Sequence, residues 1–412
     1  MTSQAGKPAL DDQERAFAWF RNVLALATLL MLVLSWPLWV ETTAFPRVSF
    51  VPGGPGLGRS GSWAAYGLVL MALAGVATGR HWLAVSLVLL LTLVLLDQHR
   101  FQPWVYQFLL IGLALATVPK GQALGLARLF VVVLYVHSSL SKLDVSFTNE
   151  LGRAFLETAV HPLGLNPETW PVGVRRGLIL AMPAWELAVA AGLCVKRTRR
   201  LAMIGAVALH LALLGILGPW GLRHSTIVLV WNGAMIVEVL LLFRPSAFLP
   251  IEATGPRFRA AGLTRWVFVM AAILPLGERW GWFDPWPAFA LYASHVERTD
   301  VLLHEDDLLR YPLDVQQYAT YRVAGGWRRL DLTAWSRAVR GVPVYPGGRA
   351  QIGLAEALAD QVRGTVGPRV VLWGRAERWT GKRSRVEALG RDQVRHLGGR
   401  FRLNAHPSRP SA

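Results

Sequence analysis

Cysteine is nearly missing from this chain: Cys194 is the only one in 412 residues, and it lies inside an apolar run. No disulfide can form within the chain, no thiol pair is available for redox work, and a water-exposed domain must hold together by its core alone. Charge is scarce as well. Only 17% of the residues are charged against 53% hydrophobic, which is too apolar for a soluble domain and points to the membrane class. Lysine is rarer still, with five copies against 38 arginines, so each lysine is a noticeable choice. Repeats of fixed period are missing, as are low-complexity tracts beyond the loop signal Pro52-Gly53-Gly54-Pro55-Gly56. Acidic residues are outnumbered 26 to 43, for a net charge of +17. In a soluble protein that balance would suggest nucleic acid. Here it reads as loop arginines and a domain near anionic lipid headgroups, with no nucleic-acid partner and no metal site expected.

What the chain has instead is long apolar runs. A hydrocarbon core of about 30 Å takes about 20 helical residues. Windows near 17 to 40, 62 to 78, 81 to 96, 103 to 119, 124 to 143, 177 to 195, 201 to 218, 225 to 243 and 263 to 283 supply nine such stretches. Lys7, Arg15 and Arg21 precede the first run and Thr42-Thr43-Ala44 follows it, as in a signal peptide; the run is too long for one and many spans follow. The expected fold is an all-α multi-pass transmembrane bundle of about nine helices, followed by a small α+β extracytoplasmic domain. The boundaries are a cytoplasmic tail over 1–16, the transmembrane domain over 17–283 and the outer domain over 284–412. That last domain is read from short β-like runs such as Val370-Val371-Leu372-Trp373 and from the amphipathic stretch Ala350 to Arg363. The clusters Lys196-Arg197-Thr198-Arg199-Arg200 and Arg244, Arg257, Arg259, Arg265 belong inside, which puts the N-terminus in the cytoplasm and the C-terminal domain outside the plasma (inner) membrane.

Ionisable side chains at membrane depth are expensive, so each asks for a reason. The densest group is Leu134-Tyr135-Val136-His137-Ser138-Ser139-Leu140-Ser141-Lys142-Leu143-Asp144. At helical spacing Ser138 and Lys142 share one face, with His137 and Ser141 on a neighbouring face. Lysine, unlike arginine, can be made neutral by desolvation and so act as a base; the structural alternative is an anchor that snorkels to the interface. Asp144 is a possible partner if the helix ends there. Glu186, His210, Asn232 and Glu238 are further polar residues inside spans, and the two carboxylates must find partners or stay protonated. Before the fourth span, Asp97-Gln98-His99-Arg100-Phe101-Gln102 leads to Pro103-Trp104-Val105-Tyr106, where Pro103 suits a first helical turn and Asp97 with Arg100 suits a structural pair.

Taken together, Ser141-Lys142-Leu143-Asp144, the Asp97 to Tyr106 segment, Gly218-Pro219-Trp220-Gly221-Leu222-Arg223-His224 leading to Trp231-Asn232, and Trp280-Gly281-Trp282-Phe283-Asp284-Pro285-Trp286 resemble the HTTM family. That family is the membrane domain shared with vitamin K-dependent gamma-carboxylase, and the resemblance covers roughly residues 15 to 295. It implies a nine-span topology and a quinone or vitamin K-like quinol as cofactor. It also implies that Lys142, at the position of the family's Lys-Leu-Asp lysine, is the base that activates it. The carboxylase's active-site histidine at the start of the fourth span has no counterpart at Pro103 to Tyr106, His99 lying earlier, and the region after Asp284 does not look like a propeptide-binding region. Quinol-type chemistry is therefore the expectation rather than protein-glutamate carboxylation.

Two readings of different class follow. One is an enzyme on a quinone or other lipophilic substrate, with Lys142 and His137 as catalytic candidates and Ser138, Trp104, Tyr106, Glu186 and His210 as cofactor-binding candidates. The other is a non-catalytic membrane scaffold or assembly factor whose outer domain binds an anionic lipid surface or an extracytoplasmic protein. A transporter is a weaker third, since no paired broken helices are visible. The topology is open to direct measurement: reporter fusions after Arg200 are expected to read cytoplasmic, and fusions after Gly164 and at Ala412 external. A cytoplasmic reading at Ala412 would overturn the nine-span count.

Overall fold

The computed structural model describes residues 7–244, 259–362 and 365–408. Part of the expected 1–16 tail, Arg257, Arg363 and the chain end at Ala412 lie outside the described residues. Among the described residues, a helix takes up more than half of each of the nine apolar windows: α1 (Lys7–Leu34), α2 (Gly58–Gly75), α3 (Arg80–Leu96), α4 (Pro103–Thr117), α5 (Lys120–Leu140), α6 (Val172–Cys194), α7 (Arg199–Leu217), α8 (Thr226–Phe243) and α9 (Arg259–Ile273). Among the described residues, six stretches are long and apolar enough to cross a membrane: Gln13–Leu34, Lys120–Leu140, Val172–Cys194, Arg199–Leu217, Thr226–Phe243 and Ala261–Trp280. α3 and α4 are apolar but shorter. The protein is membrane-embedded through several of these helices. Two windows, the first and the last, run more than three residues past their helices, for local reasons. α1 stops at Leu34 before a separate turn Trp36–Trp39 with proline in its first turn. After α9 the chain tightens into a 3₁₀ segment, Leu274–Trp280, whose Pro275 lacks the N–H an α-helix needs, and it ends at Gly281 with φ 76°.

The chain divides into two compact units. The first draws on Met1–Met31, Val69–Val88 and Pro103–Ser294, the second on Leu32–Leu68, Leu89–Gln102 and His295–Ala412. In the first unit α5 packs on α6, α6 on α7 and α7 on α8. Two of its arginines serve helix C-termini, whose last carbonyls have no intrahelical donor. Arg80 donates to the carbonyls of Leu115 and Val118 at the end of α4, and Arg128 Nε donates to the Leu242 carbonyl of α8 at 2.8 Å.

The second unit contains a five-stranded antiparallel sheet in the order β2-β3-β1-β4-β5, from β1 (Arg298–His304), β2 (Tyr321–Val323), β3 (Trp327–Leu330), β4 (Arg369–Trp373) and β5 (Arg385–Leu389). Register is fixed by apolar pairs on the core side, Val301 opposite both Leu330 and Val370. Three helices complete it: α10 (Leu332–Arg340), α11 (Gly348–Gln361) and α12 (Gly390–Gly398). Asp331 caps α10 by accepting from the Ala334 N–H at 2.8 Å. The stretch expected to be an amphipathic helix is α11, and it is buried nearly all round. Its polar groups are matched instead: Gln351 Oε1 accepts from the Thr299 N–H at 2.8 Å, and Glu356 accepts from Arg395 at 2.8 Å and His406 at 2.7 Å. At Gly353 a Cβ would meet the Ala405 carbonyl and Val48 at 2.7 Å, so only glycine allows this approach.

The Asp97-Gln98-His99-Arg100 run ties this unit together, all four residues having no exposed surface. Asp97 is not paired with Arg100 as the sequence suggested. Its Oδ2 accepts from Arg340 Nη2 at 2.5 Å, while Oδ1 faces the His99 ring Nδ1 at 3.1 Å. Arg100 donates to three carbonyls, those of Leu38, Trp39 and Leu93, at 2.9 to 3.2 Å. Gln98 donates to Ser49 and Asn404 carbonyls and accepts from Arg349 Nε at 2.9 Å. Burial by itself would raise the Asp97 carboxyl, but Arg340 and His99 outweigh it and hold it far below its ordinary value. Burial also pushes His99 down, against the pull of Asp97. Both shifts act in the same direction: folded-state values below the unfolded ones mean protons are taken up on unfolding, so stability falls with pH. The loss begins near the ordinary histidine value of about 6.5 and grows below about 4, where unfolded aspartate titrates. Hydrogen exchange of peptides spanning 97–102 and 335–345, corrected for intrinsic rates, is expected to lose protection in those two stages. Arg340→Met, which strands Asp97, is expected to cost about 3–5 kcal/mol.

Candidate functional site

α5 ends at Leu140 with Ser141 as its cap, so Lys142 leaves the helix and its stem folds back one turn. The Lys142 ammonium nitrogen donates to Ser138 Oγ at 2.6 Å and to the Ser138 carbonyl at 3.1 Å. From α6, Glu186 presents both carboxylate oxygens to the same nitrogen, each at 2.9 Å. The pair is deeply buried, with 4% and 9% of the two side chains exposed. Pro183 lies one turn before Glu186, and its carbonyl accepts from the Ser139 hydroxyl at 2.7 Å, which docks α6 against α5 at this height. Asp144 does not partner Lys142. It caps the short helix Val145–Asn149 through the Phe147 N–H at 2.7 Å and receives Arg279 Nη1 at 2.8 Å.

A second polar chain faces the same space. Asn232 Nδ2 donates to the Val228 carbonyl at 2.8 Å, which identifies Asn232 Oδ1 as an acceptor. His210 Nδ1 lies 2.8 Å from that oxygen and so carries the proton, leaving Nε2 to accept from the Tyr135 hydroxyl at 2.7 Å. His210 is therefore a neutral imidazole of fixed tautomer with its lone pair on a phenol. Tyr135, Ser138, Lys142, Glu186, His210 and Asn232 line one cavity of about 40 Å³, closed by Leu134, Phe155, Leu209, Leu213, Trp231, Met235, Leu291 and Tyr292. That volume is room for a water or two. Tyr292 and nearby Phe289 have φ of 59° and 55°, a region that costs bulky residues of order 1–3 kcal/mol each. Tyr292 is held there by edge contacts to Phe155 at 5.4 Å and His224 at 5.7 Å.

Glu238 is fully buried and solves its problem separately, accepting from Gln107 Nε2 at 2.6 Å while Gln107 Oε1 accepts from the Trp231 indole at 2.8 Å. Of the sequence candidates, Lys142, Ser138, Glu186 and His210 come together in the cavity. His137 does not: its Nε2 bonds the Ala272 carbonyl at 2.9 Å and ties α5 to α9. Trp104 is buried on α4, and Tyr106 packs against Phe289 at 5.5 Å; neither lines the cavity. Tyr135 had no role in the sequence reading, although it lies three residues before Ser138 and seven before Lys142, on the same helical stripe. Trp231 carries no signal of its own beyond the Trp231-Asn232 motif. Compared with known proteins, the chain matches no family model, no curated protein and no solved structure.

The geometry makes Lys142 and Glu186 a single energetic unit. Glu186→Gln is expected to destabilise the protein by about 3–5 kcal/mol because it leaves a buried ammonium without its counter-charge, and Lys142→Met by a similar amount. The double variant should recover most of that loss. Thermal unfolding of the four proteins in one detergent measures the coupling, and additive losses would show that the two groups do not act together.

Proposed function

We propose that this chain is an HTTM-type enzyme acting on a lipophilic substrate with an acidic O–H, a quinol or a compound like it, with Lys142 as base and Glu186 as its proton partner. The proposed topology is nine spans with a cytoplasmic N-terminus and an extracytoplasmic C-terminal domain, in keeping with the loop arginines. The observation that carries the reading is the placement of Lys142 Nζ at 2.9 Å from both Glu186 oxygens within the cavity. A base must first be relieved of its proton. With the shared proton resting on Glu186, Lys142 is a neutral amine that can accept the proton of a substrate O–H, the O–H bond breaking with its electron pair left on oxygen. Ser138 orients the amine, and the apolar walls keep out the water that would otherwise compete. Pro103 to Tyr106 offer no histidine, so abstraction of a proton from glutamate is not part of the proposal.

A second reading is favoured by the size of the cavity. At about 40 Å³ it is too small for an aromatic ring, so catalysis requires it to widen, whereas a scaffold would use the Lys142–Glu186 pair simply as a strut between α5 and α6. The two readings part at Lys142→Arg. Arginine can keep an ion pair with Glu186 but cannot give up its proton. For the enzyme, quinol turnover in membranes is expected to vanish while the melting temperature stays near that of the parent; a scaffold should work unchanged. Mass spectrometry of the lipid extract of the purified protein supplies the second measurement, a quinone in stoichiometric amount being the expected finding.

A further inference from the structure

A second, much roomier site lies wholly within the unit that carries the sheet. It is a cleft of about 910 Å³, in the size range of sites for small organic ligands. One wall carries Trp36 and Trp63, which stack on each other with ring centroids 5.5 Å apart at 21° and remain 48% and 44% exposed. Trp36 follows directly on Gln13–Leu34, one of the stretches apolar and long enough to cross a membrane. Tryptophan at the end of such a helix marks the depth of the lipid headgroups. The cleft therefore opens where a lipid passes from chain to headgroup.

The charges within it are unevenly matched. Glu41 is saturated: it accepts the N–H groups of Leu57 at 2.8 Å and Gly58 at 3.0 Å and pairs with Arg47 at 2.9 Å. Asp360 is taken by Arg391. Arg59, exposed on the cleft wall, has no side-chain partner among the described residues. An apolar tryptophan wall at headgroup depth beside one unmatched guanidinium suits a particular kind of ligand. We propose that this cleft binds a membrane lipid with an anionic, phosphate-bearing headgroup, the phosphate on Arg59 and the acyl chains along Trp36 and Trp63. Arginine is suited to this task because its planar donors match phosphate oxygens two at a time.

The test uses the full-length protein in a mild detergent, with native mass spectrometry counting bound lipid. The probes are phosphatidylglycerol and phosphatidylcholine of identical chains. The parent protein is expected to retain one phosphatidylglycerol at concentrations where phosphatidylcholine occupancy is at least about tenfold lower. Arg59→Gln should lower phosphatidylglycerol occupancy about tenfold, the scale of one charge-assisted contact, and phosphatidylcholine occupancy by a much smaller factor, because the choline cation already offsets the charge of its phosphate. Trp63→Ala should weaken both lipids. Arg310→Gln, which removes an exposed arginine outside the cleft, should change neither. Equal binding of the two lipids, an unchanged Arg59→Gln variant, or an equal loss in Arg310→Gln would each overturn the proposal. So would full displacement by millimolar glycerol phosphate, since the ligand would then be the headgroup alone.

Discussion

Placing an ionised side chain where water cannot follow costs several kcal/mol unless an opposite charge or a full set of hydrogen bonds is supplied. Both units of this protein are organised around meeting that cost. In one, Lys142 and Glu186 face each other between α5 and α6. In the other, Asp97 and Arg340 do so, reinforced by Arg100 closing three backbone carbonyls. Apolar packing supplies the bulk of the fold, but it is indifferent to small shifts and rotations. The buried pairs are not, because a shift that separates them leaves a bare charge. The placement of α6 against α5, and of the 97–100 run against α10, is thus set by a few polar contacts.

The polar groups at the Lys142 cavity fall into two sets with different character. Lys142 and Glu186 form a buried ion pair. His210 is neutral and locked by Asn232, so Tyr135 presents an oxygen whose own proton is already committed. One side of the cavity thus carries a charge pair and the other a phenol oxygen left free to accept a hydrogen bond. The left-handed backbone at Tyr292, which lines the cavity, places local strain in its wall.

Much of this was legible in the sequence where the cause is local. The apolar windows coincide with helices, Pro103 begins one, and short β-like runs such as Val370 to Trp373 lie in the sheet. The need of Glu186 for a partner was legible too. Its identity was not, because Lys142 is 44 residues away and only the packing of two helices joins them. The same limit applies to Asp97, whose partner is 243 residues distant while a plausible one, Arg100, stands three positions along. The Ala350 stretch misled for a related reason. Its polar residues read as a solvated face, yet Gln351 and Glu356 are buried and matched by groups from elsewhere in the unit. Sequence shows which groups are costly to bury, and tertiary structure alone shows how the cost is met.

The separation of Lys142 from Glu186 also bears on how the protein is made. Synthesis runs from the N-terminus, so Lys142 emerges 44 residues ahead of Glu186. When α6 reaches the bilayer, its carboxylate arrives in hydrocarbon with its counter-ion already stationed at the end of α5. An α6 inserting alone would carry that charge unpaired or take up a proton to shed it. The two helices therefore have reason to enter the membrane as a hairpin, and in the folded protein the Ser139 hydroxyl bonds the Pro183 carbonyl between them. A pair read in the finished structure as a piece of chemistry is, during biogenesis, the entry permit of a helix.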